Sequence, residues 1–134
     1  MTTMVDPTLA VQVAVVRVLR SAATAAGSRI FCPVPMGAEY PYVSIGQIQV
    51  INERFDGLEG ALIHLTLHAW SRSESRVEAR TLAAQIVAAL DGAEGVLTGP
   101  DLQLNSCMFE NALHLDDPDG KTAHAVLTFQ LLTD

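Results

Sequence analysis

Long hydrophobic runs are missing from this chain of 134 residues, although 49% of it is apolar. A helix that crosses a bilayer needs about 20 consecutive apolar residues, and no stretch here approaches that. No positive charge precedes the first apolar stretch, because Met1, Thr2, Thr3, Met4, Val5 and Asp6 carry none. A secretory leader opens with such charges, so the expectation is synthesis in the cytoplasm and no membrane partner. Cysteine is scarce as well. Cys32 and Cys107 form no Cys-x-x-Cys and no cysteine–histidine cluster, which leaves neither a metal motif nor a disulfide framework. Both lie among apolar neighbours in predicted strands and are expected to be buried free thiols.

Catalytic signatures are also absent. There is no Gly-x-Ser-x-Gly, no glycine loop to cradle phosphate, and no cysteine–histidine pair that spacing brings together. His64 and His68 share a strand face, but four residues at about 3.3 Å each put them ~13 Å apart, too far for one metal ion. His114 and His124 flank the last turn and are expected to sit opposite each other in a hairpin, without a clear third ligand. Asp116, Asp117 and Asp119 superficially suggest calcium, yet a calcium loop needs acids at alternate positions and a later glutamate. Leu115 and Ala125 stand where an acid would be required. No catalytic residue, cofactor or metal site is therefore expected.

Basic residues are scarce in the last third. Residues 1–90 hold seven acids and seven bases, whereas 91–134 hold eight acids (Asp91, Glu94, Asp101, Glu110, Asp116, Asp117, Asp119, Asp134) against Lys121 alone, so the formal net charge of −7 lies there. Such a surface repels phosphate backbones and argues against a grip on nucleic acid. It fits a channel past which DNA slides, and equally fits acids that merely keep a loop-rich end soluble.

What is present is strong local patterning. Asp6 and Pro7 suit the N-cap and first position of a helix ending at Gly27, with Leu9, Val13, Val16, Leu19 and Ala23 predicted as its buried face. Residues 29–32 form a short predicted strand stopped by Pro33 and Pro35. Strand character returns over 42–53, where the alternation of Val43 and Ile45 changes phase to Ile48 and Val50 at Gly46-Gln47, the mark of a β-bulge. Residues 61–70 alternate cleanly: Ile63, Leu65, Leu67 and Ala69 fall on one side, His64, Thr66, His68 and Trp70 on the other. Asp56-Gly57 supplies turn chemistry between these two strands. Ser75 and Glu78 have capping-box spacing at the head of a second helix, predicted to bury Val77, Leu82, Ile86, Ala89 and Leu90 and to stop at Asp91-Gly92. Arg72, Arg76 and Arg80 follow one another along one side of it as a solvated face or a docking stripe. Residues 102–115 and 122–132 make a final hairpin about an acidic turn, with Ala125, Leu127, Phe129 and Leu131 inward.

The order predicts one α+β domain over residues 1–134: one mixed, largely antiparallel sheet of four to five strands with two helices packed on one face. The other face, carrying histidine, threonine, tryptophan and valine, is too apolar for easy solvation and reads as a place for a partner or a neighbouring subunit.

The alternating Gly60–Trp70 segment running into the capped helix, preceded by Tyr40-Pro41-Tyr42-Val43-Ser44-Ile45-Gly46 and followed by Asp117-Pro118-Asp119-Gly120 and Thr122-Ala123-His124-Ala125-Val126-Leu127-Thr128-Phe129, resembles a known family. It is similar to the small tail-completion or tail-terminator proteins of long-tailed bacteriophages and gene transfer agents. The resemblance runs from Asp6 to the C-terminus and keeps the segments in order. It implies a non-enzymatic virion protein, assembled in the bacterial cytoplasm as a hexameric ring at the head-proximal end of the tail tube, with the tube protein and a head-side connector as partners and DNA passing through. Residues Val34, Met36 and Tyr40 in the loop 33–41, and Arg54, Phe55, Asp56, Leu58 and Glu59 at the hairpin tip, are expected at subunit or partner contacts, because a lone domain would leave their apolar members exposed. Asp116, Asp117 and Asp119 are expected to face the channel or an adjoining ring. Two other readings stay open on sequence alone: a small dimeric ligand-binding domain or enzyme that uses the open sheet face, and a non-viral adaptor.

Overall fold

In the computed structural model, residues 6–53, 60–73 and 75–133 are described. The element order is α1 (Thr8–Ser21), β1 (Ile30–Phe31), β2 (Tyr42–Asn52), β3 (Ala61–Ser71), α2 (Val77–Leu90), β4 (Leu104–Asp116) and β5 (Ala123–Thr133). The strands form one sheet in the order β1-β2-β3-β5-β4. β1 runs parallel to β2 and every other neighbouring pair is antiparallel, so the sheet is mixed and largely antiparallel, as expected. Both helices cover one face, where Ile63, Leu65, Leu67 and Ala69 from β3 meet Ala125, Leu127, Phe129 and Leu131 from β5 in a fully buried core.

Gly46 and Gln47 together oppose Thr66, because the register passes from Ile45↔Leu67 to Ile48↔Leu65. That is the predicted bulge, and glycine is required there: a Cβ on Gly46 would lie 2.6 Å from Nε2 of His68 and 2.9 Å from the Thr66 carbonyl oxygen. Two further irregularities fall on β4, between Leu104 and Ser106 and between Phe109 and Asn111.

The helices differ from expectation in phase and length. α1 buries Val11, Ala14, Val15 and Leu19, while Leu9 and Val13 are 68% and 56% exposed. Nearly every position from Ala10 to Leu19 is apolar, so several stripes satisfy a 3.6-residue period and the sheet beneath chooses among them. The helix stops at Ser21, a turn and a half before Gly27, and Ala23 takes a left-handed φ of 53°. Asp6 does cap its start, accepting from the Thr8 amide at 2.9 Å and from the Thr8 hydroxyl. In α2 the capping box does not form. Ser75 Oγ accepts from the Val77 amide at 3.0 Å, but Glu78 reaches sideways to accept the Ser71 hydroxyl at 2.7 Å. Val77 is exposed, and the buried face is Ala79, Leu82, Ala83, Ile86 and Leu90.

Polar side chains tie these layers together. Arg17 on α1 donates to the carbonyls of Val96 and Thr98 at 2.8 and 3.0 Å. Arg20 and Arg29 hold the α1–β1 connection and the start of β2 through the carbonyls of Ile30 (3.0 Å) and Pro41 (2.8 Å). At the far end of α2 the Gly92 amide donates to the Cys107 carbonyl at 2.7 Å, and Asp91 accepts from the Phe109 amide at 2.9 Å, which fixes β4 against the helix.

Candidate functional site: the uncovered sheet face and its rim

The helices leave the second sheet face open. Antiparallel pairing puts opposed side chains on the same side. The pairs Ser44↔His68, Tyr42↔Trp70, Trp70↔His124, His68↔Val126, Leu113↔Val126 and Leu115↔His124 therefore set out this face across β2, β3, β5 and β4. Met108 and Leu113 on it are 58% and 55% exposed, with Leu115 and Ile51 also exposed. Apolar area of this kind, spread over adjacent strands, marks an interaction surface more often than a solvated one.

At the end of the face near β1 the aromatic side chains interlock. Tyr40 packs on Tyr42 (ring centroids 5.0 Å apart), Tyr42 on Trp70 (6.2 Å), and Trp70 stacks on His124 at 3.7 Å and 10°. Trp70 Nε1 donates to Ser44 Oγ at 3.1 Å. His68 Nδ1 and His124 Nε2 face each other at 2.7 Å, one ring donating to the other. Burial holds both imidazoles below the ordinary histidine range. For His124 the neighbouring His68 adds to that, while Asp117 pulls the other way. The Arg72 guanidinium lies 4.6 Å over the Tyr40 ring and its Nε donates to Thr122 Oγ1 at 3.1 Å, joining the ladder to the acidic turn.

That turn is internally satisfied. Asp119 accepts from the amides of Lys121 and Thr122 at 2.8 and 2.9 Å and from the Thr122 hydroxyl at 2.7 Å, and these bonds hold its carboxyl down at about 2. Asp116 makes a two-pronged pair with Arg76, its Oδ1 accepting from Nε at 2.8 Å, and is held below the usual carboxylate range by that pair. The expected arginine run along the second helix does not form, because α2 begins at Val77 and only Arg80 lies within it: Arg72 precedes the helix and serves Thr122 and Tyr40, and Arg76 at the N-cap serves Asp116.

The structure places the expected contact residues unevenly. Met36 is 102% exposed and Val34 is also exposed, as expected. Tyr40 is half-buried in the ladder and is no free apolar projection. Arg54, Phe55, Asp56, Leu58 and Glu59 lie outside the described residues. Cys32 is exposed, contrary to expectation, because β1 ends at Phe31 and the chain leaves the sheet. Cys107 is buried, and burial pushes its thiol up to about 12, which leaves it inert. His114 does not oppose His124. It pairs with Ala125, on the helix side, whereas His124 pairs with Leu115 on the open side, so one residue of register separates their faces. The His68–His124 contact escaped sequence reasoning because it joins residues 56 apart through the insertion of β5 beside β3.

Among the described residues no group of three His, Cys, Asp or Glu side chains is placed to hold a metal, and no helix is long and apolar enough to cross a membrane. A cleft of about 530 Å³ bounded by residues 98–103 and Thr133 has Asp101 as its sole titratable side chain, which gives no acid–base pair.

Fold and surface together define an α+β subunit whose distinguishing feature is an uncovered, aromatic-rimmed sheet face. Residues 13–134 match the family model described as tail completion protein gp17, and the chain belongs to that family. It is a structural protein of phage tails and not an enzyme, as the sequence resemblance implies. The same fold occurs in a chain of the virion of a native gene transfer agent (GTA) particle, 23% identical, with a TM-score of 0.84 over 96% of this chain and 98% of that one. At that identity the likeness is one of fold. No curated protein matches.

Proposed function

We propose that this chain is a tail terminator, six copies of which form a ring at the head-proximal end of the tail tube of a phage or gene transfer agent. The ring ends tube growth and joins the tail to the head-side connector, and DNA passes through it without specific binding. Assembly takes place in the bacterial cytoplasm and the protein remains in the particle. The family membership of nearly the whole chain carries this reading. The open sheet face and the exposed loop at Val34 and Met36 support it, since both suit protein contacts better than a small ligand. The loop 33–41 and the tip residues Arg54, Phe55, Asp56, Leu58 and Glu59 contact neighbouring chains in this scheme. Asp116, Asp117 and Asp119 face the channel or the next ring.

Deleting the gene tests the role. DNA-filled heads without tails, together with tubes of uncontrolled length, are the expected products, and normally tailed transducing or infective particles would overturn it. Asp117 is the acid to vary in the turn, because Asp116 and Asp119 also hold the fold. Asp117→Lys should fold normally and either slow DNA delivery in a salt-sensitive way, if it lines the channel, or block joining, if it meets a basic ring. Delivery at the normal rate would leave it a solvated turn.

A further inference from the structure

The histidine pair on the open face is poised between two arrangements. His68 Nδ1 and His124 Nε2 are 2.7 Å apart, a gap with room for one hydrogen along the line between them. Neither ring can slide aside within the face. A Cβ on Gly46 would come within 2.6 Å of His68 Nε2, so that ring already rests on the glycine backbone of the bulge. His124 is stacked on Trp70 at 3.7 Å, and Trp70 is fixed by its bond to Ser44 Oγ. Outward, away from the sheet, is the direction left.

We propose that His68 and His124 form a proton-operated latch on the open sheet face, closed while the two facing nitrogens share one hydrogen and opened when both rings are protonated. A neutral pair and a singly charged pair each keep one N–H donating to one lone pair, so both are closed. The second proton sets two N–H groups and two positive charges against each other, and a like charge at contact distance suppresses the second ionisation. Surrounding groups modify this without supplying a counter-charge inside the pair. Tyr42 of β2 lies along the ladder behind Trp70, with Arg72, just past the end of β3, beyond it over Tyr40. His64 of β3 leans to Glu110 of β4, 3.9 Å away. Beside His124, Asp117 favours its protonated form, whereas Arg76, already paired with Asp116, and Arg80 and His114 share a cleft with it and bring no further acid. Burial of both rings disfavours charge throughout. Opening would uncover the flat face of Trp70, so acid would exchange a closed polar contact for an exposed aromatic surface. This holds whatever covers the face, and does not depend on the ring assignment.

Trp70 is the sole tryptophan of the chain, so its fluorescence reports the latch directly. Imidazole NMR on the isotope-labelled full chain between pH 8 and 4.5 should show His68 and His124 titrating in two steps separated by about tenfold or more in proton affinity. Trp70 emission should change with the second step. His68→Gln should raise the proton affinity of His124 and move any Trp70 response to that single titration. Independent titration of the two rings at the ordinary value of 6.5 with unchanged Trp70 emission would overturn the latch, as would His68→Gln leaving His124 where it was. The NMR titration of the unsubstituted chain decides the matter alone if that variant does not fold.

Discussion

The two faces of the one sheet obey different physics although they are woven from the same strands. On the helix side, β3 and β5 present Ile63, Leu65, Leu67, Leu127, Phe129 and Leu131, all fully buried. On the open side, one residue along in each case, stand His64, Thr66, His68, Val126, Thr128 and Gln130, all half-buried. The helix side stabilises the molecule by removing apolar area from water. The open side keeps polar atoms satisfied laterally, through His68 to His124 and Trp70 to Ser44, and leaves apolar tips such as Met108 and Leu113 for something else to cover. The core lies on one side of the pleat, and the contacts proposed for assembly lie on the other.

Substitutions that contrast the two faces should show this most strongly. Phe129→Ala is expected to cost about 3–5 kcal/mol of unfolding free energy in denaturant titration, through lost transfer energy and a cavity. Thr128→Ala, its neighbour on the open face, should cost no more than about 0.5 kcal/mol. Equal losses would mean that the open face is part of the folding core and would break the comparison.

Gly46 links the faces, because its missing side chain lets β2 pass beneath His68. Gly46→Val should destabilise by about 1–3 kcal/mol as backbone and ring are forced apart. Adding His68→Ala should recover only part of the loss, since the Thr66 carbonyl remains 2.9 Å from the new Cβ position.

A smaller effect is expected at the acidic turn. The Asp119 carboxyl is held at about 2, below its ordinary 3.8, so its bonds contribute above pH 3.8 and are lost as pH falls through about 2. Asp119→Ala should lower Tm at pH 7, and the difference from the unsubstituted chain should shrink as pH falls below 3.8 and vanish only below about 2. A gap that persists in acid would show that the carboxylate bonds are not its source.

Least of all should the isolated chain notice Met108→Asp combined with Leu113→Asp, with a change in unfolding free energy within about 0.5 kcal/mol for each site. Incorporation into particles, measured by immunoblot of purified virions, should fall sharply in the same variant. Normal incorporation would show that this half of the face is solvated in the particle.

How far each of these features was legible from residues alone follows the range of the interactions behind them. The alternation of residues 61–70, the inward set Ala125, Leu127, Phe129 and Leu131, and the bulge at Gly46-Gln47 are visible because a strand's period is two and a phase slip shows in the letters themselves. The face of α1 was not legible, since valine and alanine surround the helix. Nor was the fate of Glu78, whose capping role gave way to a hydroxyl on β3 seven residues earlier. Cys32 was misplaced because the extent of β1 is decided by pairing with β2, which covers only Ile30 and Phe31.

By itself, then, the sequence determined which residues could share a strand face, where turns and a bulge had to fall, and that the chain belongs with tail-completion proteins. Only the tertiary structure decided which stripe of α1 is buried, that Arg76 is committed to Asp116, and that His124 meets His68 and Trp70 while His114 turns away. Side-chain period is a property of the local backbone, written every two or three residues. Partnership across a sheet depends on strand order, and inserting β5 between β3 and β4 is a choice made by the whole core at once.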